Sequence, residues 1–449
     1  MQAQVRIGAA TADITPPVGY ALGGYGDRKG ESVALHMPLK AQVFVADDGV
    51  RPVAIAGCDL LFATYDLTRL VREAVGAALG WQADQVMVTA THTHSGPAAL
   101  TLAQDRSYVE QVAARIAGGI AEAARAAQPA SLRYAETAVT SISQNRRRPD
   151  GPIEPTARIL VAAADGEPIS TIVSYACHAT VLEGDNLEIS PDFAGYTAAT
   201  VASMVGGKAM YLQGCCGNIN PVWSRHDHAE AERIGSILGL AAARAVRELA
   251  PLGHGQWVRN LSWGEDAPAD VRHAHVVTSG PIASACVPVA LPLRELVPDE
   301  IDAQLRRVRS ALEAPGADRH QLAPEHGALE MEALYSRHVY PYALRDGHPA
   351  QGPGTVEIQA LRLGPDLAIV GVPGEPFIEI ASEIRLRAGL KHVLVAGYAN
   401  DAIGYIPTSD EFPRRGYEVG CARYGPEAAG LLADGAIRAL QAAVPDTTD

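Results

Sequence analysis

Along the first half of the chain, short apolar runs alternate with longer segments in which apolar positions recur at helical spacing. Gln42 to Val45 and Pro52 to Ala56 read as strands on either side of the turn "ADDG". In "YDLTRLVREAVGAALG", Leu67, Leu70, Val71, Ala74, Val75 and Ala78 share one helical stripe, with Asp66 to cap its start and Gly80 to end it. Val86 to Ala90 is then a short buried strand, so this stretch predicts a β-α-β unit. Its second strand runs directly into "THTHSGP" and delivers His92 and His94 at its carboxyl end.

The alternation continues. Val109 to Ala127 reads as a helix stopped by Pro129, Ile169 to Ala176 as a strand that delivers His178, and Phe193 to Val205 as a helix. Ala209 to Gln213 is a strand ending in "GCCGNINP", and Ala229 to Leu249 is a long helix. Between 255 and 350 the pattern weakens. "GPIASACVPVALPLREL" is irregular or extended, and helices are expected over Pro298 to Ala314 and Glu325 to Leu344. Beyond it, "TVEIQALRLG" and "DLAIVGVPGEPF" predict a hairpin, Phe377 to Ala388 a helix and His392 to Gly397 a strand. The expected fold is α/β, a mixed β-sheet core flanked by helices. In open α/β sheets ligands sit outside the carboxyl ends of strands, where three polar clusters fall here.

Composition narrows the function. The 449 residues are 47% hydrophobic, enough for a buried core, and the net charge is −14. The only basic block is Arg146-Arg147-Arg148, so neither a nucleic-acid partner nor stable membrane association is expected. No apolar run is long enough to span a bilayer. "MQAQVRIGAATADITPP" has neither the basic nor the apolar region of a signal peptide, and the six cysteines are sparse for a disulfide scaffold. Both point to the cytoplasm. Cys215-Cys216 reads as buried small hydrophobes rather than a redox pair.

Residues two apart on a strand point to one face, so His92 and His94 could reach a common centre. Imidazole is a good zinc ligand, yet such a pair is also common as hydrogen-bonded loop histidines. His178 adds a third imidazole at a strand end. Glu375, after a turn that Gly374 permits, aims at the same sheet edge or simply stabilises a helix start. Arg146 is either a solvated loop charge or an oxyanion anchor. His36 either lines a pocket or packs.

Several pieces, in order, resemble the neutral/alkaline non-lysosomal ceramidase family in its N-terminal catalytic domain. They are "IGAATADITPP", "ALHMPLKAQVFV", "THTHSGP", "QNRRRP", "SYACHAT", "QGCCGNINP", "VPGEPF" and "GYANDAIGYIPTSDEF" with the "YE" that follows. The resemblance spans roughly residues 5 to 420 and implies a single-zinc amide hydrolase. Carried over, His92, His178, Glu375 and Tyr405 would hold the zinc. His94 would act beside it as general acid/base with a pKa near neutrality. Arg146 and Tyr417 would polarise the carbonyl and stabilise the oxyanion. The family's "GNxSP" serine is Asn220 here, which cannot form an acyl-enzyme, so a zinc-bound hydroxide is expected to attack directly. Asn220 would then bind substrate or orient water.

The resemblance is read as covering 1–449 as one catalytic domain, with 255–350 a divergent insertion shaping the pocket and without the family's C-terminal domain. A small soluble amide is expected rather than ceramide, which carries two long chains and lives in membranes. An ester or lactone, a lyase or sugar-directed cleavage on the same metal site, and a non-catalytic binding paralogue are the alternatives. Sequence does not settle the oligomeric state.

Overall fold

The computed structural model describes residues 5–26, 28–249, 271–277, 280–294, 296–334 and 354–444. Among the described residues, three mixed sheets, each covered by helices, make up the body of the fold, with three two-stranded pairs beside them. The first has the strand order Val86–Ala90, Val53–Cys58, Lys40–Asp47, Arg6–Asp13, Gln128–Pro129. The second runs Lys208–Gln213, Glu167–Tyr175, Thr156–Ala164, Ser131–Ala138, Val271–Val276. The third runs Ile282–Ala290, Thr355–Leu363, Leu367–Gly371, His392–Ala396. Each sheet is antiparallel except for one parallel pair at an edge.

Side-chain alternation explains why those parallel strands are apolar throughout. Ile55 and Met87 of the first sheet, Ile172 and Leu212 of the second, and Ile369 and Leu394 of the third meet in one shared core. Their neighbours in sequence point the other way, under helices. Ala54 and Val88 pack beneath the helices Tyr65–Leu79 and Leu102–Arg125. Val173 and Tyr211 pack beneath Asp192–Val205 and His228–Leu249. Val370 and Val395 pack beneath Ile378–Arg387 and Ala428–Ala442. Both faces are therefore dry, and continuous Val/Ile/Leu/Ala runs result.

The carboxyl ends of the three parallel pairs are tied together. The Gln213 side-chain amide donates to Thr91 O at 3.0 Å and Cys177 O at 2.8 Å. Gly397 N donates to Gln213 O at 3.0 Å, and Ala90 N to Tyr398 O at 3.2 Å.

The expected β-α-β unit is present, with Val53–Cys58 and Val86–Ala90 in parallel register. Its helix is capped by Thr64, whose hydroxyl accepts from Leu67 N, and not by Asp66, which lies inside the first turn. Gly80 ends it as expected, at φ 74°. "TVEIQALRLG" and "DLAIVG" form the expected antiparallel hairpin. Within 255–350 the extended stretch is a regular edge strand, Ile282–Ala290. The helix Pro298–Glu313 matches expectation; the second is Arg319–Leu334, and residues 335–344 of that expectation lie outside the described residues. Among the described residues no helix is long and apolar enough to cross a membrane.

Candidate metal centre

The strand Val86–Ala90 stops two residues before His92, whose backbone turns into the left-handed region at φ 63°. The shared-strand-face argument for His92 and His94 therefore does not hold. The turn brings them together instead, with His94 Nε2 3.2 Å from His92 Nε2 and their rings at 87°. Thr93, between them, is anchored outward by donating to Ser190 O at 2.7 Å.

His178 follows the end of Glu167–Tyr175 and is fully buried. Glu375 reaches the same point because Gly374 adopts φ 72°, where a Cβ would sit 2.5 Å from Ile403 Cγ1. Glu375 then pairs in parallel with Tyr405 in a two-residue ladder. Its Oε2 lies 3.3 Å from His92 Nε2 and 3.5 Å from His178 Nε2. The helix-start reading of Glu375 fails, since that helix begins at Ile378 and the carboxylate is buried against imidazoles.

Hydrogen bonding fixes the tautomers. His92 Nδ1 contacts Leu61 O at 2.8 Å and His178 Nδ1 contacts Cys216 O at 2.6 Å. A carbonyl only accepts, so each Nδ1 carries the proton and each Nε2 presents a lone pair. Two lone pairs thus face a carboxylate, and neither His178 Nε2 nor Glu375 Oε2 has a hydrogen-bond partner. An arrangement of acceptors alone is repulsive until a cation joins it, so these residues fit a metal. Burial, then the Arg146 charge, push His178 down to about 4. His94 does not titrate near neutrality as expected. Burial, then the imidazoles of His92 and His178, push it well below the ordinary histidine range.

Arg146 is no solvated loop charge. Its Nε donates to Glu418 Oε1 at 2.7 Å, Nη1 to Asn220 Oδ1 at 3.2 Å, and Nη2 to Gly217 O at 2.7 Å and Tyr405 Oη at 3.1 Å. Of five N–H groups, only one on Nη1 remains for a ligand. Tyr405 is buried, its ring parallel to that of His178 within 17°. Burial, then Glu375, raise its phenol, against the opposing Arg146 charge. Tyr417 is 48% exposed and stands edge-on to Tyr405 at 5.6 Å.

Sequence reasoning missed four neighbours. Tyr398 packs on His92 at 4.2 Å and places its hydroxyl 3.1 Å from Cys216 Sγ. Glu418 is clamped by Arg146 and Arg147. Gly24 and Tyr25 cover His94, with the Tyr25 ring 4.9 Å away. Tyr398 and Glu418 lie in stretches that already stood out as motifs; nothing local marks Gly24 or Tyr25. Cys215 and Cys216 are buried and unpaired.

Residues 5–216 match the family described as neutral/alkaline non-lysosomal ceramidase, N-terminal. Residues 5–216 belong to that family. The ceramidase-family match contains His92, His94, Arg146 and His178, while Asn220, Glu375, Tyr405 and Tyr417 lie beyond it. A neutral ceramidase from Pseudomonas aeruginosa is 24% identical over 94% of this chain and 69% of its own length. One from Mycobacterium tuberculosis is 24% identical over 94% of this chain and 74% of its own. The crystal structure of the Pseudomonas aeruginosa neutral ceramidase superposes with a TM-score of 0.72 at 22% identity, covering all of this chain and 76% of that one. A ceramidase complexed with C2 superposes equally well, at 0.72. The α/β architecture of three helix-covered mixed sheets is thus the neutral ceramidase fold.

Proposed function

We propose that this chain is a zinc-dependent hydrolase of amide C–N bonds, acting on a small soluble substrate rather than ceramide. The observation that carries the reading is the convergence of His92 Nε2, His178 Nε2 and Glu375 Oε2 as acceptors with no donor among them. Those three and Tyr405 would hold the ion, which supplies Lewis acidity and a water acidified towards pH 7.

The chain's own residues do the rest. Asn220 offers no nucleophilic oxygen, so water is the nucleophile and no acyl-enzyme forms. Neutral His94 takes a proton from the attacking water and returns it to the leaving nitrogen. Arg146 donates to the Tyr405 oxygen, which favours its anionic form. The spare Nη1 N–H of Arg146 and the Tyr417 hydroxyl meet the developing oxyanion. Asn220, held by Arg146, orients substrate or water.

The net charge of −14 disfavours docking on an anionic bilayer, which supports a soluble substrate. Six cysteines are too sparse for a disulfide scaffold, which supports a reducing compartment, the cytoplasm. We read residues 1–449 as one catalytic unit, with 255–350 shaping the pocket mouth. The test is metal analysis followed by a screen of N-acyl amides, lactams, lactones and glycoconjugates in heavy-oxygen water, with long-chain ceramide as comparison. About one zinc per catalytic site and solvent oxygen in a carboxylate product are expected. A product without solvent oxygen points to elimination and rejects hydrolysis. Ceramide as the best substrate rejects the substrate class.

A further inference from the structure

A second group of ligand-type side chains lies outside the centre just described. His36 Nδ1 is 3.6 Å from Glu188 Oε2, and His228 Nε2 is 2.8 Å from the same oxygen. The three donor atoms all lie within 4.8 Å of one another. Each comes from a different element. His36 follows the short strand Ala34–Leu35, Glu188 sits in the strand Glu188–Ile189 paired with it, and His228 opens the helix His228–Leu249. Backbone bonds from His36 N and Met37 N to Ile189 O, at 3.0 and 3.2 Å, fix the first two elements to each other.

The imidazoles of His36 and His228 stack face to face at 3.5 Å and 6°. Two protonated rings at that spacing would repel. The far nitrogen of His36, Nε2, lies 2.7 Å from the Tyr196 hydroxyl. With that nitrogen donating, Nδ1 turns its lone pair towards Glu188, at a separation too long for a hydrogen bond. A metal-bound histidine donates its outer N–H in this way, which leaves the inner nitrogen for the ion.

We infer that His36, Glu188 and His228 form a second site, for a divalent cation of the zinc type. Two imidazoles and a carboxylate are a zinc donor set, and donors around tetrahedral zinc stand about 3.4 Å apart. The 3.6 Å between His36 Nδ1 and Glu188 Oε2 is close to that value, and the 2.8 Å hydrogen bond that His228 Nε2 donates to the same oxygen is the contact an ion would replace, with loss of that proton. Binding splays the stacked rings at their nitrogen edges, for which there is room: the side chains are 31%, 40% and 24% exposed in the order His36, Glu188, His228. Solvent completes the coordination. The site also braces the segment behind "THTHSGP", since Asn186 Nδ2 donates to Ser95 Oγ at 2.9 Å and Ser190 N to Ser95 O at 3.0 Å.

Equilibrium dialysis of the full chain against Zn²⁺ tests this, with Glu375→Gln disabling the first centre and His228→Gln or Glu188→Gln the second. Two cations are expected in the wild type, one in each single variant, and none in Glu375→Gln/His228→Gln. Circular dichroism checks that each variant is folded, and either second-site variant suffices. Two cations retained by both second-site variants overturns the inference. So does a single wild-type cation that only Glu375→Gln removes. Failure of the first centre alone reads differently, as a single cation lost in His228→Gln and kept in Glu375→Gln.

Discussion

Gly24 gives the sharpest way to ask whether the position of His94 matters. It adopts φ +94°, and a Cβ there would lie 2.4 Å from His94 Cγ and Nδ1. Ordinary contact begins near 3.4 Å, so Gly24→Ala drives the ring aside by about 1 Å. Tyr25 packs edge-on against His94 and is itself held by a 2.9 Å bond from its hydroxyl to Leu182 O, so the ring is confined. A displacement of about 1 Å in a group that moves a proton costs on the order of 100-fold in turnover. The unfavourable backbone adds about 1–3 kcal/mol of lost folding stability. The expected Gly24→Ala protein is folded, keeps its zinc, shifts modestly in urea midpoint and falls about 100-fold in kcat. These are measured by urea denaturation, metal analysis and hydrolysis of an amide from the screen. Wild-type kcat in a protein that shows the stability loss would refute the role given to His94.

His92→Ala should lose bound zinc, whereas His94→Ala should keep it and lose turnover. Their nitrogens are 3.2 Å apart, a separation that also suits two ligands of one ion, so equal zinc loss in both variants sinks the division of roles. Glu418→Gln should cost about 3 kcal/mol, because two arginines lose the charge of a buried carboxylate, and an unmoved urea midpoint contradicts that. Burial raises the Asp59 carboxyl to about 7, so the folded chain binds its proton more tightly than the unfolded one. Stability from this group is full at low pH and declines as pH rises from about 4 towards 7. Asp59→Asn removes the decline: between pH 5 and 8 the variant should gain about 2–3 kcal/mol on the wild type, and parallel pH profiles would rule this out.

Much of the outer fold was legible in the sequence. Long amphipathic helices and all-apolar parallel strands carry strong periodic signals, and most emerge within about two residues of their true ends, but Leu102–Arg125 begins well before the expected Val109 and Arg319–Leu334 well before the expected Glu325. The antiparallel strands Arg6–Asp13, Ser131–Ala138 and Thr156–Ala164 escaped notice because their small and polar residues mask the period of two. At the centre, His92, His94, His178 and Glu375 were visible as polar residues at strand ends. The reason given for the histidine pair was wrong, since a left-handed turn rather than a strand brings them together. Arg146 was ambiguous because its four partners come from Gly217, Asn220, Tyr405 and Glu418, none near it in sequence. Tyr398, Gly24 and Tyr25 act by packing on a histidine, and contact between distant segments leaves no local trace.

The shared core has a consequence for how the centre comes into being. His92, His178 and Glu375 each leave a different sheet, so the three come together only once all three sheets have docked. A cation captured there works as a keystone, and its binding free energy is added to the mutual docking of the sheets. Metal capture therefore reports completion of folding. Stripping the metal should loosen all three sheets together, and slow proteolysis of the stripped chain should begin at the edges where they meet.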